Sequence, residues 1–230
     1  MKKRNLRIAI FGGFGRMGRE LASLIEKDSH LILCCIADQK TDLNLLAVQK
    51  PDVVIEFSSP AGLKKIVQWC SAHRVPLVSG TTGVSGVIEK LVSKASKHIS
   101  IFRAANMSLG INALAKTIRI FAKNFPGCDV QIEEIHHRHK KDNPSGTAKF
   151  LQQQLTGIPS IYVKSSIGLR GGEVFGIHKV YFFAKSEWLC FEHHAQNRMV
   201  FAEGALKAAQ WLAKKKKPGL YSMSDLLSED

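Results

Sequence analysis

The chain has 230 residues, 45% of them apolar and 8% aromatic, a balance that excludes wholesale disorder and fits one large domain or two modest ones. Its longest unbroken apolar run, Leu31–Ala37, falls far short of the ~20 residues that a membrane-spanning helix needs. Thirty-three Lys and Arg against 19 Asp and Glu leave a net charge of +14, which favours anionic partners without choosing among nucleic acid, membrane headgroups and small acidic ligands.

The start, Met1-Lys2-Lys3-Arg4-Asn5, is basic, but Leu6–Phe11 is interrupted by Arg7 and runs into glycines, so no signal peptide is expected. Leu6–Phe11 reads as a short strand that ends in Gly12-Gly13-Phe14-Gly15-Arg16-Met17-Gly18. A helical pattern follows, with Met17, Leu21, Leu24 and Ile25 on one face. Next comes Leu31–Ala37, whose lack of alternation predicts a strand buried on both faces. The rhythm then repeats, with strands over Val53–Phe57, Val75–Ser79 and Ile99–Arg103 and helices over Pro60–Ala72 and Val84–Ser96. Strands alternating with helices predict parallel βαβ units, hence an α/β fold with a Rossmann-type doubly wound parallel sheet.

After Asn106 the pattern changes to that of an α+β domain. It predicts a helix over Leu109–Phe125, a strand over Cys128–His137, and a helix over Gly146–Leu155 with Ser145 as its N-cap. Several strands are expected between Tyr162 and Ala195. The last helix places Phe201, Ala205, Ala208 and Leu212 on one face; Lys214–Lys217 end it and Pro218-Gly219 stop it. The five cysteines are odd in number and scattered, with no C-x-x-C pair, which predicts reduced thiols and a cytoplasmic protein.

Two segments carry chemistry. Gly13-x-Gly15-x-x-Gly18 lies between a strand and a helix, with Asp38 ending the next strand, which is the context a dinucleotide-binding turn requires. The helix start would present N–H groups to a pyrophosphate, and Asp38 would accept from ribose hydroxyls. Gln39-Lys40 leave the choice between NADH and NADPH open. The second segment runs from Glu133 to Ala148 and holds His136-His137-Arg138-His139-Lys140 and Pro144-Ser145-Gly146-Thr147. A histidine there can exchange a proton near neutrality, a lysine can donate one, and the N–H groups and Thr147 hydroxyl at the helix start can bind a carboxylate. A metal site is not expected, because His136 and His137 point to opposite faces of a strand and no thiolate or ordered histidine spacing completes a set. A nucleic-acid module would need its basic residues clustered on one element, and here they are spread along the chain. A dinucleotide-sensing protein of the same fold would have no use for an acid–base pair.

These motifs, with Gly80-Thr81-Thr82-Gly83, Ala104-Ala105-Asn106-Met107-Ser108-Leu109-Gly110, Arg170-Gly171-Gly172-Glu173 and Gly176-x-His178, occur in an order that resembles the 4-hydroxy-tetrahydrodipicolinate reductase (dihydrodipicolinate reductase) family over nearly the whole chain. The resemblance implies NAD(P)H-dependent reduction of 4-hydroxy-tetrahydrodipicolinate to tetrahydrodipicolinate with loss of water, in lysine biosynthesis. It implies that Gly12, Gly13, Phe14, Gly15, Arg16, Met17 and Asp38 hold the cofactor, with Gly80, Thr81, Thr82, Ala104, Ala105, Asn106 and Met107 bordering its nicotinamide end. His136 and Lys140 match the family's catalytic proton-handling residues, and His137, Gly146 and Thr147 its substrate-binding positions. It further implies a homotetramer, a small dicarboxylate as the partner, and no membrane or nucleic acid. The implied domains are residues 1–107 with 197–230 for the dinucleotide and 108–196 for substrate and assembly. The segments between Asp38 and Val53 and between Ala148 and Arg170 are shorter than in relatives, and Gln39 replaces an arginine common there.

Overall fold

The computed structural model describes residues 4–228, so Met1–Lys3 of the basic start and Glu229–Asp230 lie outside the described residues. The chain divides into two compact units, residues 1–108 with 201–230, and residues 109–200.

The first unit begins with β1 (Leu6–Phe11), α1 (Arg16–Lys27), β2 (Leu31–Ala37), α2 (Asn44–Gln49), β3 (Val53–Glu56), α3 (Pro60–His73), β4 (Leu77–Ser79), α4 (Gly86–Ala95) and β5 (Ser100–Arg103). The second unit follows with α5 (Leu109–Asn124), β6 (Cys128–His136), α6 (Gly146–Leu155), β7 (Ile161–Val163), β8 (Ile167–Arg170), β9 (Gly176–Phe183) and β10 (Trp188–Ala195). Helix α7 (Met199–Leu212) leads back to the first unit, which β11 (Gly219–Tyr221) and α8 (Met223–Leu226) complete.

The first sheet has the strand order β11-β5-β4-β3-β1-β2 with parallel pairing throughout. The chain goes from β1 outward to β2 and then crosses to β3 on the other side. The carboxyl ends of β1 and β3 therefore flank the switch point where open α/β sheets bind ligands. Ala9, Phe11, Val54, Leu63, Ile66, Val67, Leu77, Val92 and Ile101 form the core under α3 and α4. Helix α3 starts where it does because the Ser59 hydroxyl accepts from Gly62 N–H and Pro60 supplies a φ already suited to the first turn.

One expectation fails here. Strand β2 is an edge strand, not a strand buried on both faces: Ile32 and Ile36 are 38% and 36% exposed. Its unbroken apolar run conveys burial of one face only. Helix α2 and strand β11 escape the sequence reading altogether. Both are too short to establish a period, and Pro218-Gly219, read as a stop, lead straight into β11, which pairs with β5.

The second sheet runs β10-β9-β6-β7, with β8 also pairing β6. Alternation separates its faces. Cys128, Val130, Ile132, Val180 and Phe182 turn inward onto Ala115, Ile118, Leu151 and Leu155 of α5 and α6. The opposite face carries Tyr181, stacked on Phe183 at 5.6 Å, beside Trp188, with Tyr162, Ile167 and Leu169 also exposed.

Candidate active site

At the carboxyl end of β1, Gly12 has φ +85°, and a Cβ there would run into the Phe57 carbonyl. A Cβ on Gly18 would collide with the Gly13 backbone, so this glycine lets α1 pack against the turn. Gly15 is the N-cap of α1 and offers no side chain to it, which leaves the first-turn N–H groups open to an anion. Phe14 and Arg16 stand exposed on this turn, and Met17 is half-buried. The cradle fits a dinucleotide pyrophosphate.

Asp38 follows β2. Its Oδ1 accepts from Lys40 N–H at 2.8 Å, Thr41 N–H at 3.0 Å and the Thr41 hydroxyl at 3.0 Å, and these bonds hold the carboxyl below its usual range. Lys65 ties the same loop by donating to the Gln39 and Thr41 carbonyls, at 2.8 and 3.1 Å.

Beyond β4 and β5, Thr81, Thr82, Ala104 and Ala105 line a shallow cleft of about 310 Å³ together with Arg103 and Glu89, which form an ion pair at 2.6 Å. Asn106 Oδ1 accepts from Ser108 N–H just ahead of α5, and Met107 is buried. Sequence reasoning missed the group that organises this edge. Glu56, fully buried at the end of β3, accepts from Ser58 N–H at 2.7 Å and from the hydroxyls of Ser58, Ser79 and Thr81 at 2.6, 2.7 and 2.6 Å.

In the second unit, β6 turns Glu134 and His136 onto the inner face, two residues apart, above Val130 and Ile132. His137 is the next residue and stands half-buried after the strand. Register brings the other parts together: His193 pairs with His178, His178 with Glu134, Glu134 with Gly168, and His136 with Arg170. Glu134 is fully buried; its Oε1 accepts from Arg170 Nη2 at 2.7 Å and from Ser145 N–H at 3.0 Å, and its Oε2 faces His136 Nδ1. Burial alone would raise the Glu134 carboxyl, but these donors outweigh it and hold it low. Burial lowers His136, Glu134 opposes that, and the cations Lys140 and Arg170 add to it. His178 meets His136 edge-on at 5.1 Å and shares a hydrogen bond with the Ser145 hydroxyl at 3.3 Å; burial pushes it down to about 3, so it stays neutral near neutrality.

Ser145 caps α6 by accepting from Ala148 N–H at 3.1 Å. Gly146 and Thr147 open that helix, and Asp142 spans from Lys140 Nζ, at 2.8 Å, to Gly146 N–H, at 3.3 Å. Glu134, His136 and His178 place one ligand-type atom each within 4.8 Å of one another, a grouping that sequence spacing did not reveal because β9 supplies the third member. The Glu134 carboxylate is already engaged by a guanidinium, an amide and an imidazole, so the trio is a cluster built around one buried, paired carboxylate. Arg170 and His178 appeared in the sequence only as motif residues. What singles out Glu134 is a carboxylate at an inward position of a strand whose earlier inward residues are apolar.

Comparison with known proteins agrees with both halves. The family model "Dihydrodipicolinate reductase, N-terminus" matches residues 6–107, and "Dihydrodipicolinate reductase, C-terminus" matches residues 110–227. The chain belongs to the dihydrodipicolinate reductase family. A 4-hydroxy-tetrahydrodipicolinate reductase of Bdellovibrio bacteriovorus is 42% identical over 99% of this chain and 97% of that protein. A reductase of the same name from Campylobacter jejuni is 37% identical over 96% and 99%. The dipicolinate-bound dihydrodipicolinate reductase from Paenisporosarcina sp. TG-14 superposes with a TM-score of 0.83 at 20% identity, covering 95% of this chain and 97% of that one. The fold of this reductase family is therefore the Rossmann-like parallel sheet with a mixed second sheet. Its cofactor is a nicotinamide dinucleotide.

Proposed function

We infer that this chain is an NAD(P)H-dependent oxidoreductase that converts 4-hydroxy-tetrahydrodipicolinate to tetrahydrodipicolinate and water, in the diaminopimelate route to lysine. The observation that carries this reading is the match, from end to end, to reductases of that name.

The first unit holds the dinucleotide, with Gly12–Met17 around its pyrophosphate, Asp38 at its adenosine ribose, and Gly80–Thr82 and Ala104–Met107 at its nicotinamide end. The bound nicotinamide supplies a hydride. The donor is NADH or NADPH: Asp38 suits ribose hydroxyls, while Lys40 beside it suits a 2′-phosphate. The second unit takes the dicarboxylate. The N–H groups of Gly146 and Thr147, the Thr147 hydroxyl and His137 bind its carboxylates, since a helix N-terminus carries both donors and partial positive charge. Lys140 exchanges its partner Asp142 for the substrate. His136 and Lys140 move the protons that accompany loss of the hydroxyl as water and addition of the hydride to the ring, whose C=N bond is kept.

The exposed aromatic and aliphatic face of the second sheet supports self-assembly, as a homotetramer. All five cysteines are free thiols, which supports a reducing, cytoplasmic setting.

The test is to supply purified chain with freshly generated 4-hydroxy-tetrahydrodipicolinate and either reduced dinucleotide. Dinucleotide is expected to be consumed in equal amount with substrate, and the product to be lighter than the substrate by one oxygen atom. Consumption without that product would reassign the substrate.

A further inference from the structure

We propose that Glu134 is a positioning residue for this reaction: it fixes the proton of His136 on Nδ1, makes Nε2 the working nitrogen, and ties that ring to the start of α6. The proposal rests on the reductase reading above and deepens it.

Three observations carry it. The first is placement. Burying a carboxylate is unfavourable unless it is fully paired, and nothing in the packing of β6 calls for one where Cys128, Val130 and Ile132 precede it inward. The second is division of labour between its oxygens. Arg170 and the Ser145 amide both use Oε1, while Oε2 faces His136 Nδ1. Neither Oε2 nor Nδ1 has any other hydrogen-bond partner among the described residues. An ionised carboxylate only accepts, so the nitrogen that faces it must carry the hydrogen. The third is that the arrangement is held from outside. Arg170 is pinned by donating to the Asp142 carbonyl at 2.6 Å and the Leu169 carbonyl at 2.7 Å. A Cβ on Gly168, the cross-strand neighbour of Glu134, would fall 2.8 Å from Oε1, so this position has no space for a side chain. On the far side of the ring, a Cβ on Gly176 would stand 3.1 Å from His136 Nε2 and press on that nitrogen.

The groups that face His136 are Glu134 on its own strand, Lys140 from the following loop, Arg170 from β8 and His178 from β9, with His193 of β10 beyond His178. Of these only Glu134 favours the imidazolium. It therefore lets His136 carry two protons, give up the one on Nε2, and keep the one on Nδ1. Through Ser145 N–H the same carboxylate fixes the residue that caps α6, so the acid and the carboxylate-binding helix start share one anchor.

Nitrogen-15 NMR of the full chain with labelled histidine, at mildly alkaline pH, reads the tautomer without turnover; His136→Gln identifies the signals. The proposal requires a neutral His136 protonated at Nδ1, and protonation at Nε2 in the unmutated chain overturns it. In Glu134→Gln the amide oxygen is expected to stay with Arg170 and Ser145, turning the amide N–H₂ toward Nδ1 and moving the ring proton to Nε2. In the same variant kcat should fall about tenfold or more, with KM and dinucleotide affinity changed less than twofold. A variant with unchanged tautomer and unchanged kcat overturns the proposal. An unmutated chain with the Nδ1 tautomer and no reductase turnover would support the Glu134 pairing and overturn the reaction alone.

Discussion

Lys140 Nζ lies 2.8 Å from Asp142 Oδ1, and the other oxygen of that carboxylate lies 3.3 Å from Gly146 N–H. Asp142 thus occupies two groups that the proposed mechanism assigns to substrate. Its removal should relieve like-charge repulsion at the helix start. Asp142→Asn is expected to tighten binding of dipicolinate several-fold in calorimetric titration. Weaker binding would mean instead that Asp142 is needed to hold Lys140 in place.

His178 predicts a pH dependence of stability. Burial depresses it from an ordinary value of 6.5 to about 3 in the folded chain. Between those values the unfolded chain binds a proton that the folded chain refuses, so stability rises with pH across the interval. The contribution is complete above about 6.5 and is lost as pH falls toward the folded value. His136 is depressed in the same direction and adds to the slope. His178→Gln should therefore flatten, without abolishing, the fall in Tm on acidification. A melting series with the unmutated slope would contradict this.

Glu56 unites Ser58, Ser79 and Thr81 at the carboxyl ends of β3 and β4. Glu56→Ala removes the acceptor of three hydroxyls and leaves the Ser58 amide only its longer bond to Thr81 Oγ1, which costs about 3 kcal/mol. For a chain of this size that corresponds to a fall in Tm of roughly 6–12 °C. The Gly80–Thr82 segment should loosen as well, weakening dinucleotide binding. A variant with unchanged Tm and unchanged affinity would show the network to be dispensable.

The parts of this molecule that were legible in the sequence are those whose signal is local. The strand–glycine–helix start is written in consecutive residues, and Ser145 announces α6 by sitting just ahead of it. Strand order is not local: Leu31–Ala37 is an unbroken apolar run whether it lies at the centre of a sheet or, as here, at its edge. The cluster around Glu134 is less local still. Glu134 shows in the sequence only as a carboxylate at an inward strand position, and its partners His178 and Arg170 come beside it only when β9 and β8 pair with β6. Glu56 looks like one polar residue near the end of an apolar strand until the loops after β3 and β4 close over it.

The outer face of the second sheet gives a further prediction. Trp188 is 61% exposed and stands opposite Phe183 on the neighbouring strand, next to Tyr181. Trp188→Glu should lower the mass of the assembly in sedimentation while leaving the fold of the second unit intact. An assembly of unchanged mass would exclude this face as the contact between copies.

The proposed mechanism makes His136 and Lys140 the proton-handling pair of a dicarboxylate reductase. Its most direct test compares the unmutated chain with His136→Gln and Lys140→Ala in 4-hydroxy-tetrahydrodipicolinate-dependent oxidation of NADH and NADPH. The unmutated chain should oxidise at least one dinucleotide only when substrate is present. Each variant should do so roughly 10²-fold or more slowly, with dinucleotide affinity unchanged. Equal rates in all three chains would remove both residues from the chemistry and contradict the account.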